Sequence, residues 1–198
     1  MSSQPSSTPR RVLIAEDEAL IRLDLREMLQ EEGYEVVGEA GDGEMAVVLA
    51  GKLRPDLCIL DVKMPKMDGI EAGAKIAKER IAPVVILTAF SQRELVERAR
   101  EAGAMAYVVK PFQKKDLLPT IEMAMSRFTE IVSLEAEVED LQGRLEARKI
   151  IERAKGVLQT EHKMTEPDAF RWIQRTAMNE RTSMKALAQR LLAEDPAA

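Results

Sequence analysis

Five short apolar runs, at residues 12–15, 34–38, 57–60, 84–87 and 106–109, are each followed by a polar or charged residue. Glu16 and Asp17 follow the first run, Glu39 the second, Asp61 the third, Thr88 the fourth and Lys110 the fifth. Brought together, the carboxylates of Glu16, Asp17 and Asp61 repel one another unless a cation sits among them. Oxygen donors alone suit a hard divalent ion, most often Mg2+, which keeps several waters. A carboxylate such as Asp61 can attack a phosphorus centre and become an acyl phosphate. Lys110 and the metal would neutralise the phosphoryl oxygens in the transition state, and the Thr88 hydroxyl would hydrogen-bond one of them. Each group alone has a plainer role: Thr88 can cap a helix, and Lys110 can be a solvated strand end.

Such a site needs elements that bring distant residues to one place. The apolar runs read as strands buried on both faces, and they alternate with amphipathic helical patterns. One such pattern is Leu20, Leu23, Leu25, Met28 and Leu29; another is Leu95, Val96, Ala99 and Ala102. Strands alternating with helices imply right-handed crossovers and a parallel sheet. Five units in about 120 residues fit a doubly wound, five-stranded α/β domain, whose ligands bind at the carboxyl ends of the strands. Glu39 is expected at the sheet edge, so four of the five ends supply the site. Gly33 and Gly103 suit the positions that end helices, and Pro55 and Pro83 precede strands.

From about Lys114 the chain reads helical almost to its end. Ile131, Leu134, Val138, Leu141 and Leu145 are spaced 3, 4, 3, 4, an a/d seam over about two heptads. This stripe either packs on its own domain or dimerises as a coiled coil. Thr165 with Pro167 marks a helix start, and Thr182 or Ser183 a second one. A helix ending near Thr160 and two short ones make a small three-helix all-α domain.

The 198 residues carry a net charge of -5, unevenly spread: residues 1–139 are net -7 and residues 140–198 net +2. A mildly basic second part permits a nucleic-acid partner without requiring one. No apolar run approaches the roughly 20 residues of a bilayer span. The Ser- and Pro-rich start, residues 1–9, is expected to be a disordered tail, not a signal peptide. The single cysteine, Cys58, falls inside an apolar strand and reads as a small buried hydrophobe. These features point to a cytoplasmic protein with no membrane partner.

Several motifs in order resemble the receiver domain of two-component response regulators, over about residues 10–125. Residues 59–69 (ILDVKMPKMDG) resemble the family's phosphorylation loop, and Glu16-Asp17 its acidic pair. Thr88-Ala89 and residues 107–112 (YVVKPF) resemble its switch motifs. The resemblance implies a flavodoxin-like fold, Asp61 as phosphoacceptor and a cognate sensor histidine kinase as donor. It implies Mg2+ held by Glu16, Asp17, Asp61 and the backbone carbonyl of Lys63, and Lys110 on the phosphoryl group before a cis-proline. Thr88 and Tyr107 would move together on phosphorylation, although Tyr107 can also be a half-buried strand residue. Lys63 and Phe90, each two residues after a motif residue, would line the path of the hydrolytic water, and their bulk predicts slow loss of phosphate. On this reading the chain is a signalling protein rather than an enzyme.

Residues 148–158 (RKIIERAKGVL) resemble the core signature of the ANTAR output domain, over roughly 135–195 behind a helical linker at 126–145. Phe170, Ile173, Ala177, Leu187 and Ala188 follow at matching intervals. Gln159 and Gln174 stand where the family usually has Met and often Arg. The resemblance implies a three-helix module that binds hairpins in nascent transcripts, prevents termination and works as a homodimer. Arg148, Arg153 and Lys155 are the candidate RNA contacts. Gly156 is costly inside a helix; its plain reading is close approach by another helix. Phe170 and Trp172 read as core or interface residues, and His162 as a surface residue.

Two other functions are weighed. In one, the last two helices form a DNA-binding helix-turn-helix; only Lys185 and Arg190 would charge its recognition helix. In the other, the acidic cluster serves a metal-dependent phosphohydrolase; Lys63 stands two residues after Asp61, where a general acid would be needed.

Overall fold

The computed structural model describes residues 9–89 and 93–194. It divides into two compact units, residues 1–132 and 133–198. In the first unit, β1 (Arg11–Ala15), α1 (Ala19–Glu31), β2 (Glu35–Ala40), α2 (Gly43–Leu53), β3 (Leu57–Asp61), α3 (Gly69–Lys78), β4 (Val84–Thr88), α4 (Arg93–Glu101) and β5 (Ala106–Val109) alternate without exception. The helix α5 (Lys114–Glu161) follows. The five strands are parallel in the order β2-β1-β3-β4-β5.

Alternate strand residues serve opposite faces of the sheet. Leu13, Cys58, Leu60, Val84 and Ile86 pack with Ala46 and Ala50 of α2 and Ile70, Ala72 and Ile76 of α3. Val12, Ile14, Leu57, Ile59, Val85 and Leu87 pack with Leu25 and Leu29 of α1 and Leu117, Ile121 and Ala124 of α5. Both faces of β1, β3 and β4 are covered, so these strands are almost wholly apolar, whereas the edge strands β2 and β5 keep exposed residues. Gly33 and Gly103 adopt φ of +84° and +83° as their helices end, which a side chain would resist. Cys58 is fully buried and burial pushes its thiol up to about 12.

In the second unit the C-terminal part of α5 packs with α6 (Glu166–Asn179) and α7 (Met184–Glu194). Its core is Ala154, Leu158, Ala169, Ile173, Ala177, Leu187 and Ala188. Thr165 caps α6, accepting from the Asp168 amide. Ser183, the second of the two expected caps, accepts from Ala186 N at 3.1 Å. No helix among the described residues is long and apolar enough to cross a membrane.

Candidate functional site

Asp61 ends β3 with its side chain almost wholly buried, and its neighbours come from the ends of β1 and β5. Carboxylate oxygens of Glu16, Asp17 and Asp61 lie within 4.8 Å of one another. Lys110 Nζ sits 2.7 Å from Asp61 Oδ1 and 2.5 Å from Glu16 Oε2. The Lys63 amide donates to Asp61 Oδ2 at 3.0 Å. Glu16 has no exposed surface, whereas Asp17 is exposed.

Burial holds the Glu16 carboxyl above the usual carboxylate range; the charge of Asp61 adds to this, and Lys110 only partly opposes it. Burial alone would lower Lys110, but its hydrogen bonds to Asp61 and Glu16 outweigh that and leave it raised. The site thus holds a firmly charged ammonium beside a Glu16 carboxylate that is costly to keep ionised. Thr88 is buried at the end of β4, and its carbonyl accepts from Lys110 N at 2.7 Å. The Lys110–Pro111 peptide is cis, as the resemblance implies. Tyr107 is 47% exposed on β5. Phe90 lies outside the described residues.

Further residues hold these groups and were not singled out by sequence reasoning. A Cβ on Gly69 would fall 1.9 Å from the Asp61 carbonyl oxygen, so the loop after Asp61 closes against its own strand only with glycine there. A Cβ on Gly43 would fall 2.3 Å from the Met67 carbonyl oxygen. Asp42 caps α2 through Met45 N and accepts from Lys66 Nζ at 2.8 Å, tying the same loop to α2. Arg22 donates to the Glu16 carbonyl and pairs with Glu39 at 3.3 Å. Glu39 therefore orders the β1–α1 loop from the sheet edge. The only sequence signals were the family-like Asp68-Gly69 and the capping potential of Asp42.

In the second unit Arg148 and Arg153 are exposed. Lys155 is not free as expected: it is 6% exposed, and its ammonium lies 2.8 Å from both Glu152 Oε2 and Glu166 Oε1. Those hydrogen bonds raise Lys155 and lower Glu166. Lys155 thus joins α5 to α6 inside the module, and its role as an RNA contact is withdrawn. Leu134, Val138, Leu141 and Leu145 are each a little over half exposed, so the heptad stripe does not pack against its own domain.

The response regulator receiver domain model matches residues 12–122, and the ANTAR domain model residues 139–192. The chain is 68% identical over 187 residues to the transcriptional regulatory protein PdtaR of Mycobacterium tuberculosis, covering 94% of this chain and 91% of that protein. It is 41% identical to the chemotaxis protein CheY of Thermotoga maritima, covering 52% and 88%. Among solved structures, the signal receiver domain of a modulated diguanylate cyclase from Desulfovibrio desulfuricans G20 superposes with TM-score 0.57 at 34% identity, covering 61% and 97%. A chain of the CheX-CheY-BeF3-Mg+2 complex from Borrelia burgdorferi does so with TM-score 0.55 at 32% identity, covering 61% and 90%. The chain therefore belongs to the response regulators that join a receiver domain to an ANTAR domain.

Proposed function

We propose that this response regulator acts in the cytoplasm and takes a phosphoryl group from a cognate sensor histidine kinase onto Asp61, and that its ANTAR domain, at 135–195, then binds RNA hairpins in nascent transcripts and prevents termination. The carrying observation is the convergence of Glu16, Asp17, Asp61 and Lys110 at the carboxyl ends of three strands. The three carboxylates are an all-oxygen donor set, which fits Mg2+. Glu16, Asp17, Asp61 and the Lys63 carbonyl would hold the ion. Bound there, it offsets the carboxylate charge and that of the phosphoryl oxygens.

An Asp61 oxygen forms the new bond to phosphorus as the bond to the donor histidine nitrogen breaks. Lys110, already within 2.7 Å of Asp61, follows the charge onto the phosphoryl oxygens. The Thr88 hydroxyl bonds one of those oxygens, and half-exposed Tyr107 moves with it as the switch. Lys63 hinders the hydrolytic water, so the acyl phosphate decays over minutes or longer. A lifetime of seconds would refute that part.

For the output, the exposed Arg148 and Arg153 support an anionic partner. Duplex DNA is disfavoured because both cations of α7 are engaged, Lys185 with Glu146 and Arg190 with Glu180. The exposed seam of Leu134, Val138, Leu141 and Leu145 supports pairing of two phosphorylated copies. Pairing raises the effective concentration of one RNA module once its twin is bound.

The test is incubation with Mg2+ and acetyl phosphate, followed by mass, oligomeric state and binding to RNA hairpins against duplex DNA. A mass gain lost in Asp61→Asn, a shift to dimer and preference for hairpins are expected. A gain that survives Asp61→Asn, or preference for duplex DNA, would refute the reading.

A further inference from the structure

Gly156 occupies the outer face of α5, between the buried Ala154 and Leu158. A Cβ built on it meets nothing within 4 Å. The close helix approach that would explain a glycine is therefore not made by any described residue of its own chain. Glycine weakens a helix interior relative to alanine, so the position sacrifices stability with no packing return inside the module.

The surroundings indicate what gains from it. Arg153 and Lys149 lie three and seven residues earlier, on the same helical face, with Arg148 beside them. All three are exposed, and none has an ion-pair or hydrogen-bond partner among the described residues. The nearby carboxylates are drawn elsewhere: Glu152 is held by Lys155 at 2.8 Å, and Glu146 by Lys185 at 3.8 Å. The Thr160 hydroxyl, one turn later, is turned onto the Gly156 carbonyl at 2.5 Å and leaves the face low. Gly143 is equally open, but its helical neighbours Glu139 and Asp140 are acidic, and the adjacent Arg144 is already paired with Asp140 at 3.7 Å. Within the second unit, only at Gly156 does a missing side chain coincide with unpaired positive charge.

We propose that the sugar–phosphate backbone of the bound RNA crosses α5 directly over Gly156, with phosphates held by Arg153 and Lys149. The glycine sets how near the chain comes to the helix. This rests on the RNA reading above. A second copy of the helix is the weaker occupant, because it would bring the same unpaired cations towards their own duplicates.

The test uses the full-length protein treated with acetyl phosphate and Mg2+, and a pool of RNA hairpins with randomised loops. Gly156→Ala should raise the melting temperature yet weaken hairpin binding about tenfold, the equivalent of roughly 1.4 kcal/mol, and Gly156→Leu should weaken it further. Neither should alter the salt dependence, because the phosphate contacts keep their charges. Arg153→Gln should reduce that slope by about one. Gly143→Ala should raise the melting temperature and leave RNA binding unchanged. Wild-type binding with unaltered affinity in both Gly156 variants would overturn the contact alone. So would an affinity loss that merely tracks a change in oligomeric state. Failure of the wild-type protein to bind hairpins would overturn the RNA reading itself and this contact with it.

Discussion

Glu16→Gln should make the protein more stable without divalent ions and less responsive to them. Glu16 is fully buried 2.5 Å from Lys110 Nζ. At an effective dielectric constant of about 20, that pairing is worth roughly 6–7 kcal/mol of attraction. Taking the carboxylate out of water costs several kcal/mol, and Asp61 repels it. The cost prevails, since the Glu16 carboxyl is held above its ordinary range. A glutamine oxygen keeps the Lys110 hydrogen bond and gives up only the longer contact from Glu18 N at 3.3 Å. Removing one partner of a buried pair is normally destabilising, but here Lys110 keeps its contact with Asp61 at 2.7 Å, and losing one of two crowded carboxylates relieves their repulsion. With one weak hydrogen bond lost, a gain of about 1–2 kcal/mol is expected, or roughly 4–8 °C of melting temperature. Mg2+ reverses the order: the wild-type protein gains about 2.7 kcal/mol at a hundredfold excess over its dissociation constant, and the variant gains less. Thermal melts in EDTA and in rising Mg2+ measure both arms. A variant that melts below the wild type in EDTA, or that responds equally to Mg2+, would refute the argument.

Three further outcomes follow from other contacts. Gly69→Ala places a Cβ against the Asp61 carbonyl; it should destabilise the receiver by about 1–3 kcal/mol and slow phosphorylation by acetyl phosphate at least tenfold, read by urea melts and intact mass. Arg10 holds Glu122 below the usual carboxylate range through a hydrogen bond, so this contribution is present above the unfolded value and lost as pH falls through the folded one. Glu122→Gln, at a half-exposed site, should therefore cost under about 1 kcal/mol near neutral pH and nothing in acid, as urea melts across pH will register. Leu141→Lys with Leu145→Lys should leave the monomer's melting unchanged, since both are exposed, and abolish dimerisation of the phosphorylated protein in sedimentation.

The five strands were legible because each is a run of apolar residues closed by a polar one, a pattern that only a sheet covered on both faces produces. That same pattern placed Glu16, Asp61, Thr88 and Lys110 at one end, where the structure finds them together. Gly69, Gly43 and the Asp42–Lys66 bridge were not legible, because their roles depend on how closely two loops approach in space. Lys155 was misread for a related reason. It stands two residues after Arg153, and two steps on a helix turn the side chain by about 200°, here into the module and towards Glu166. The heptad stripe was legible as a pattern but not as a surface, since spacing alone does not say which face is already covered.

Cys58 offers a use unrelated to signalling. It is the chain's only thiol, fully buried in β3, between Leu13 of β1 and Val84 of β4 in register. With its thiol pushed up to about 12, almost no thiolate exists near neutral pH and alkylating reagents have no path to it in the folded sheet. Its labelling rate is then a clock for opening of the central strands, with no engineered probe required. A new cysteine on the surface could be labelled selectively while the native one stays silent until the receiver unfolds.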